Sequence, residues 1–399
     1  MPRPFDLNLR HLRALSAVVA EGSLSAAAAA AGLSQPALTQ GLRKLERQLA
    51  TELFTRHPDG MRPTPAGLAM AERGVRAFAE LAAATRGTGR GGRGFARPER
   101  LMTATQLDAL LRSAEAGGFA RAAEASGLSQ PAIHRAVRDL ERICAVSLAE
   151  RRGRGVVLTD AGRRLARGVR LAAAEIAAGI VEARGEERGG GRVVVGAMPL
   201  SRALVLPRAI AAFLRAWPDV PVEVVEGSWR ELAESLRDGV IDLMVGALRD
   251  ELPPELTQQA LFSDRLAVVA RTGHPLAGRR VEPAELARFP WVVGATGTPL
   301  RAQWAELFAN VTPPAPVECG SVMVIRGLLT QTDLLTLLSP DQVALEVAGG
   351  VLTTIDVKPP TSERRIGVTT RAGWRPTAAQ QGMLAAIAEA ARDTRVQES

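Results

Sequence analysis

The chain has 399 residues, which is enough for two or three domains with a substantial core, and its formal net charge is +8. Its two cysteines, Cys144 and Cys319, lie too far apart in the sequence to indicate a disulfide scaffold or a cysteine metal site. The sequence has neither a run of about 18 uncharged apolar residues nor a charged N-terminal head followed by an apolar stretch. It therefore predicts a soluble, cytoplasmic protein.

The positive charge lies in the N-terminal half of the chain. The net charge is +7 over residues 1–98, +4 over residues 99–192 and −3 over the remainder. A polyanionic partner is therefore expected to bind the N-terminal half.

The N-terminal segment predicts three consecutive helices. Leucines at helical spacing over residues 9–21 predict the first, and an alanine-rich run that ends at Gly32 predicts the second. The third begins in the stretch GLSQPALTQGLRKLE, residues 32–46, where Ser34 can cap the first turn and Pro36 occupies a position that needs no donor. Two helices, a tight turn with glycine and a third helix with a polar start are typical of a helix-turn-helix.

A predicted hairpin follows over residues 53–64, with Asp59-Gly60 as its turn. Beside a helix-turn-helix such a hairpin is a wing. A helix is then expected from Ala66 to Thr85. The next segment, RGTGRGGRGFAR at residues 86–97, is expected to be a flexible cationic spacer or, as the alternative, an added nonspecific DNA contact.

The same arrangement returns 95 residues later, beginning with GLSQPAIHRAVRDLE at residues 127–141. An ungapped internal repeat indicates two copies of one small domain. The second wing, RRGRGVVLT, is more basic than the first. A long helix is predicted from Asp160 to Glu187, and such a helix is a natural dimer contact.

From residue 192 onward the predicted strands alternate with helices. Strands are expected at 192–198, 221–226, 241–247, 265–271, 291–294, 316–319, 333–337 and 364–370, and helices at 201–216, 228–238 and 377–392. This alternation is typical of a parallel sheet in an α/β domain.

Both copies resemble the winged helix-turn-helix of the LysR-type transcriptional regulators. The family pattern is Ser-Gln-Pro-Ala at a helix start, Leu-Glu at its end, Leu-Phe-x-Arg in a strand and Thr-x-Ala-Gly at the start of a linker helix. The first copy keeps Ser34-Gln35-Pro36-Ala37, Leu45-Glu46, Leu53-Phe54-Thr55-Arg56 and Thr64-Pro65-Ala66-Gly67. The second keeps Ser129-Gln130-Pro131-Ala132, Leu140-Glu141 and Thr159-Asp160-Ala161-Gly162, but has Leu148-Ala149-Glu150-Arg151 where a phenylalanine is expected.

The resemblance implies an α/β fold in which two all-α-type winged helix-turn-helix domains precede a bilobal, periplasmic-binding-protein-like (Rossmann-like) effector domain. We place the two crossings of the chain between the lobes near Arg271 and Val347. The expected divisions are 1–85 and 100–160 for the winged helix-turn-helix domains, 86–99 for the Gly/Arg linker, 161–188 for the linker (dimerisation) helix and 192–395 for the effector domain, with lobe I at 192–270 and 348–395 and lobe II at 271–347. The family normally has one DNA-binding domain per chain, so this chain departs from the pattern.

The candidate DNA-binding residues lie on the outward face of each third helix and in each wing. Amide and hydroxyl groups read base edges, and cationic groups hold phosphates. The candidates are Ser34, Gln35, Pro36, Thr39, Gln40, Arg43, Lys44 and Arg56 in the first copy and Ser129, Gln130, Pro131, His134, Arg135, Arg138, Arg151 and Arg154 in the second. The alternatives are that they are only solvated surface residues, or that one copy is a degenerate duplicate that only packs or dimerises.

The candidate effector site lies at strand carboxyl ends and helix N-termini, where N–H groups and hydroxyls converge. Its residues are Pro199, Leu200, Ser201, Ser228, Gly246, Thr296, Thr298 and Ser321. Such termini favour a small polar metabolite, with a carboxylate or other anion as one choice. Each hydroxyl alone is equally explained as a helix cap.

The leading hypothesis is a regulator that binds operator or promoter DNA, responds to a small-molecule effector between its lobes and works as a homodimer or homotetramer at the nucleoid, without a membrane partner. An alternative is an architectural DNA-binding protein whose C-terminal domain only oligomerises. An enzyme is disfavoured, because the sequence shows no Cys/His nucleophile pair, metal-ligand cluster or phosphate loop. We expect no catalytic residue, metal or cofactor.

Overall fold

The structure, a computed structural model, describes residues 2–57, 60–86, 95–153, 155–185, 191–198, 205–308, 311–357 and 364–396. The first repeat contains helices α1 (Leu9–Glu21), α2 (Leu24–Ala31), α3 (Gln35–Leu49) and α4 (Pro65–Ala84) and wing strands β1 (Phe54–His57) and β2 (Gly60–Pro63). The second contains α5 (Ala104–Glu115), α6 (Phe119–Ser126), α7 (Gln130–Cys144), β3 (Ala149–Arg152), β4 (Gly155–Leu158) and α8 (Asp160–Arg184). A short 3₁₀ segment precedes each repeat, at Pro4–Asp6 and Pro98–Arg100.

The third helix of each repeat begins and ends in the same way. The hydroxyl oxygen of Ser34 accepts a hydrogen bond from the main-chain N–H of Ala37 at 3.3 Å, so it satisfies one of the unpaired donors of the first turn. Ser129 caps α7 equivalently. At the other end, Ala50 and Ala145 adopt left-handed φ values of 51° and 52°. The repeat therefore extends from sequence to backbone conformation.

A glutamate in each repeat fixes the wing to the third helix. The carboxylate of Glu46 accepts hydrogen bonds from the main-chain N–H groups of the first two wing residues at 3.0 and 3.3 Å. Glu141 does the same at 2.9 and 3.2 Å. The Leu-Glu motif therefore has a structural role, because it sets the position of the wing relative to the helix.

A glycine in each repeat allows the linker helix to pass close to the wing. A Cβ atom at Gly67 would overlap the carbonyl oxygen of Leu53, and one at Gly162 would overlap that of Leu148. Each carbonyl accepts a hydrogen bond at 3.0 Å from the threonine that caps the linker helix, Thr64 in the first repeat. The Thr-x-Ala-Gly motif is thus explained by a close approach of two backbones.

The two linker helices, α4 and α8, pack against each other along their length. Their contacts run antiparallel, since Gly168 lies against Ala84 whereas Gly179 lies against Met70 and Arg73. One apolar core therefore spans both repeats, from Leu12 in the first to Ile176 in α8.

The first lobe of the C-terminal half contains strands β5 (Val193–Ala197), β6 (Val222–Glu226), β7 (Leu243–Ala247), β8 (Leu256–Asp264) and β15 (Arg364–Arg371), in the order β6-β5-β7-β15-β8. Its helices are α9 (Val205–Ala216), α10 (Trp229–Arg237) and α15 (Ala378–Val396). β5, β6 and β7 are parallel, whereas β15 is antiparallel to both of its neighbours. The sheet is therefore mixed rather than wholly parallel.

The second lobe has strands β9 (Ala267–Arg271), β10 (Arg280–Val281), β13 (Thr336–Leu338) and β14 (Leu352–Val357), in the order β10-β14-β9-β13. A parallel pair, β11 (Val292–Val293) and β12 (Val317–Glu318), is joined to β13 by a bridge from Trp291 to Leu335. Its helices are α11 (Pro283–Leu286), α12 (Pro299–Leu307), α13 (Val322–Leu329) and α14 (Ala344–Ala348).

The strand pairing changes the expected lobe boundaries. β9 and β14 belong to the second sheet, so the chain leaves the first lobe after Asp264 and is in it again at Arg364, where β15 begins. The crossings are therefore not near Arg271 and Val347. The expected boundaries assigned β9 and the unpredicted strand β14 to lobe I, although both strands pair within the second sheet, which also contains β10 and β13. A buried ion pair from Arg364 to Asp264, and a hydrogen bond at 2.7 Å from Ser339 to Asp264, lie at these crossings.

Within the described ranges, no helix combines the length and the apolar character that a membrane crossing requires.

Candidate DNA-binding surfaces and effector-domain site

The outward face of α3 is a polar and cationic surface beside an open groove. Leu38, Leu42 and Leu45 are buried on the opposite face, which turns the remaining side chains toward solvent. A concavity of about 1040 Å³ lies along this surface, and it is lined by Gln35, Pro36, Thr39, Gln40, Arg43, Glu46, Arg47, Ala50, Thr51 and Glu52. Five of the eight candidates of the first copy therefore lie together on one groove.

The cations of this surface are available for a ligand. Arg43 and Lys44 are exposed, and in the part of the chain that the structure describes they form no ion pair. Gln35 and Gln40 are exposed as well, whereas Thr39 is half-buried and its hydroxyl donates to the carbonyl oxygen of Gln35 at 3.0 Å. The threonine hydroxyl is partly used within the helix, so the side-chain amides of Gln35 and Gln40 are the more available hydrogen-bonding groups on this face.

The corresponding face of α7 carries different groups. His134 and Arg135 are exposed, and the ring of His134 lies edge-on to that of Phe119 with centroids 5.7 Å apart. Arg138 lies 3.8 Å from a carboxylate oxygen of Glu141. Asp139, at the position equivalent to Lys44, pairs with Arg142. The second surface is therefore less positive than the first, although its fold is the same.

The wings add basic groups at the edges of both surfaces. Arg56 is exposed on β1, and Arg151 and Arg152 are exposed on β3; Arg152 was not among the predicted DNA-binding residues. Its only signal was the basic composition of the second wing. Arg154 lies outside the described residues.

The effector candidates separate into two groups, one in each lobe. Ser228 and Gly246 lie where the parallel strands β6 and β7 end, and Gly246 is buried against the side chain of Met198. Pro199, Leu200 and Ser201 lie outside the described residues. In the other lobe, Thr296, Thr298 and Ser321 follow β11 and β12. Among the described residues no hydrogen bond joins the two groups.

The hydroxyls of this site already serve the fold. In a capping box, the main-chain N–H of Ser228 donates to the carboxylate of Glu231 at 2.8 Å and the Ser228 hydroxyl donates to it at 2.7 Å. These bonds, the main-chain bond above all, hold the pKa of Glu231 below its usual value. Thr298 and Ser321 cap α12 and α13. Thr296 donates to Glu318 at 3.2 Å. A ligand would have to share or displace these bonds.

A buried arginine connects the DNA-binding half to the effector domain. The side chain of Arg73 in α4 is 1% exposed, and its guanidinium donates to Glu175 at 2.8 Å and to the main-chain oxygen of Arg375 at 2.9 Å. It also pairs with Glu182. Burial alone would lower the pKa of Arg73, but the hydrogen bonds to Glu182 and Glu175 outweigh burial and raise it. Nothing in the sequence pattern distinguished this arginine from surface arginines.

Residues 186–392 match the profile of the LysR substrate binding domain. Residues 9–68 and 104–163 each match the profile of the bacterial regulatory helix-turn-helix proteins of the lysR family. The chain therefore belongs to the LysR family: it is a LysR-type transcriptional regulator with an effector-binding domain, preceded by two family helix-turn-helix segments.

This chain resembles one relative over nearly its whole length and two others over about 70% of it. The HTH-type transcriptional regulator GalR of Pseudomonas putida is 34% identical over 95% of this chain and 96% of its own length. The SDS degradation transcriptional activation protein of a Pseudomonas species is 33% identical, and 93% of it spans only 70% of this chain. A full-length OxyR variant from Pseudomonas aeruginosa shares the fold, with a TM-score of 0.58 and 23% identity over 73% of this chain and 95% of that one.

Proposed function

We propose that this protein binds operator or promoter DNA through the outward faces of α3 and α7, and that a small molecule held between the effector lobes changes this binding or the resulting transcription. The observation that carries the proposal is the unpaired, exposed cationic and amide surface of α3 on a helix-turn-helix of the LysR family. Gln35, Thr39 and Gln40 would read bases, with Arg43, Lys44 and Arg56 on phosphates.

The second copy would contribute a surface of the same kind. Gln130, His134 and Arg135 would face base edges, and Arg138, Arg151 and Arg154 would face phosphates. The helix starts at Ser34-Gln35-Pro36 and Ser129-Gln130-Pro131 would place main-chain N–H groups toward the DNA backbone. Binding energy would come mainly from phosphate contacts, so affinity should depend steeply on salt.

The test measures fluorescence anisotropy of a labelled duplex from the protein's own promoter region at several salt concentrations. Replacing Arg43 and Lys44 together with alanine should weaken binding and reduce the slope of log affinity against log salt by roughly two, because two phosphate contacts are lost. Arg208→Ala is the matched control, since Arg208 is exposed on α9 of the effector domain. Wild-type binding that no low-salt condition reveals, or a double variant that binds like the control, would contradict the proposal.

For the effector we propose a small polar metabolite, with an anion favoured by the helix N-termini that Ser228, Thr298 and Ser321 cap. Gly246, Thr296 and residues 199–201 would complete the site. Thermal-shift titration with a panel of aliphatic and aromatic carboxylates tests this. A C-terminal domain whose melting responds to none of them would favour the architectural alternative. We further propose a homodimer or homotetramer that acts in the cytoplasm at the nucleoid.

A further inference from the structure

We propose that a single subunit contains a complete pair of DNA-reading domains, and that this pair reads two adjacent half-sites of different sequence. The inference rests on the proposed DNA binding of both repeats. It concerns the relation between the repeats, which neither the family profile nor the proposed function specifies.

The packing of α4 against α8 obeys the rule of a two-fold interface. In such an interface, if residue i contacts residue j, then j contacts i on the other side. Arg73 and Gly168 occupy equivalent positions 95 residues apart, and so do Ala84 and Gly179. A Cβ atom at Gly179 would lie 2.9 Å from the Cβ of Arg73, and one at Gly168 would overlap the Cβ of Ala84. The two contacts exchange under the repeat offset.

A second pair of contacts obeys the same exchange. Glu80 and Glu175 are equivalent positions. The carbonyl oxygen of Glu80 lies 3.0 Å from a Cβ built on Gly168, and the carboxylate of Glu175 accepts from Arg73 at 2.8 Å. The repeats are therefore related by a pseudo-two-fold axis within one chain.

The short segments before the repeats are exchanged as well. The segment Pro4–Asp6 of the first repeat packs on α5 and α8 of the second. The segment Pro98–Arg100 of the second packs on α4 of the first, and Arg13 in α1 donates to two of its main-chain carbonyls at 3.3 and 3.4 Å. The segment that precedes each repeat therefore packs against helices of the other repeat.

The interface is shaped for unlike partners. At both symmetric positions a glycine of α8 faces a larger residue of α4: Gly179 faces Arg73 and Gly168 faces Ala84. A pair of two α8 helices in this register would set Gly168 against Gly179 and leave unfilled space. In a pair of two α4 helices, the Arg73 side chain of one helix would face Ala84 of the other. The glycine that accommodates this arginine, Gly179 of α8, would be absent. Pairing of α4 with α8 satisfies both positions.

The paired domains present different reading groups. Where α3 has Thr39, Gln40 and Lys44, α7 has His134, Arg135 and Asp139. Paired helix-turn-helix domains read half-sites about one helical turn apart, and identical domains require palindromic half-sites. Unlike domains require unlike half-sites, so we infer an operator with two non-identical halves.

The main experiment is hydroxyl-radical footprinting of the full-length protein on its promoter. Gln40→Ala and Arg135→Ala alter equivalent positions of the two reading surfaces. Each should weaken protection over one half of the site and leave the other half nearly unchanged. In addition, replacing either half-site with a copy of the other should weaken wild-type binding, because each mismatched base pair costs about 5- to 150-fold in affinity.

A second measurement tests whether the pairing lies within one chain. The Nε of Arg76 lies 3.0 Å from the Glu175 carboxylate. In the Arg76→Lys variant, a zero-length carbodiimide can join the side chains of residues 76 and 175. The reaction is run on a mixture of ¹⁴N- and ¹⁵N-labelled protein. We expect cross-linked peptides that carry a single label. Mixed-label peptides would show pairing between subunits and overturn the inference.

The outcomes distinguish this inference from the proposed function. A wild-type protein that protects no DNA contradicts the proposed function itself. The second case is a wild-type protein that protects its DNA site. If each single variant then weakens protection of both half-sites equally, or if Gln40→Ala weakens protection of neither half-site, DNA binding stands and the unlike-pair inference is overturned.

Discussion

The buried arginine at the junction of the domains offers a sharp test of the packing. Arg73→Met removes the cation but keeps most of the apolar stem, so it separates the loss of charge from the loss of packing. The variant leaves the carboxylates of Glu175 and Glu182, which are only 11% and 14% exposed, without their main partner. Both are held close to each other on α8, so repulsion between them adds to the cost.

Removing one partner of a buried ion pair costs about 3–5 kcal/mol, because an uncompensated charge remains. We expect the free energy of unfolding of the DNA-binding half to fall by about this amount in Arg73→Met. Arg76 is the matched control: it pairs with Glu175 from the same helix, but its side chain is 35% exposed. Arg76→Met should cost at most about 1 kcal/mol, since water partly screens this pair and Glu175 keeps its bond to Arg73.

The assay is urea denaturation followed by two signals. The protein has five tryptophans, and all lie in the effector domain, at positions 217, 229, 291, 304 and 374. Tryptophan fluorescence therefore reports that domain, whereas far-UV circular dichroism is dominated by the helical N-terminal half. Arg73→Met should shift the circular-dichroism midpoint much more than the fluorescence midpoint.

Two results would refute this reasoning. A loss below about 1 kcal/mol in Arg73→Met would mean that the carboxylates are solvated or neutral. An equal loss in Arg76→Met would mean that burial does not determine the cost. Restoring stability by adding Glu175→Gln and Glu182→Gln to Arg73→Met would identify the unpaired charges as the cause.

Three further predictions follow from single positions. Gly67→Ala should lower the free energy of unfolding by about 1–3 kcal/mol, because the added Cβ would overlap a main-chain carbonyl. Gly327 in α13 has open space around it, so Gly327→Ala should be neutral or stabilising by up to about 1 kcal/mol in the same urea assay. Burial raises the pKa of the Cys144 thiol to about 11, so a thiol reagent at neutral pH should modify Cys319 and spare Cys144 in the native protein, and fast labelling of both would contradict the packing. Burial also lowers the pKa of His274 below 6.5, so protonation of this histidine favours the unfolded chain. The free energy of unfolding, followed by tryptophan fluorescence, should therefore fall as the pH drops from 6.5 toward the pKa of His274 in the folded protein, and it should fall less steeply in His274→Gln. An unchanged pH dependence in the variant would assign the effect to another group.

Much of the DNA-binding half could be predicted because its signals are local. A capping serine, a proline in the first turn and leucines at helical spacing specify α3 whatever surrounds it. The repeat then doubled the information. The pairing of α4 with α8 could not be predicted, since alanine- and glycine-rich faces fit many partners and only the fold shows that Gly168 meets Ala84.

The effector domain was harder to predict because its missed strands carry polar residues. β8 (LTQQALFSD) is the edge strand of its sheet, and β14 (LTTIDV) lies between β10 and β9. Both strands mix polar and apolar residues, so the apolar runs that indicate parallel strands did not predict them. Missing β14 also moved the lobe crossings. The candidate hydroxyls were located, but whether Ser228 caps a helix or binds a ligand is not encoded in its immediate neighbours.

The covalent connection between the two repeats affects their association at low protein concentration and the evolution of their DNA specificity. Two domains on one polypeptide meet at a fixed effective concentration, so their association does not weaken on dilution as it does for separate subunits. Each of the two DNA-reading domains is also encoded by its own segment of the gene. A codon change in α7 alters one reading surface and leaves α3 untouched, whereas in a symmetric homodimer every substitution acts twice. The specificity of such a regulator can therefore drift one half-site at a time.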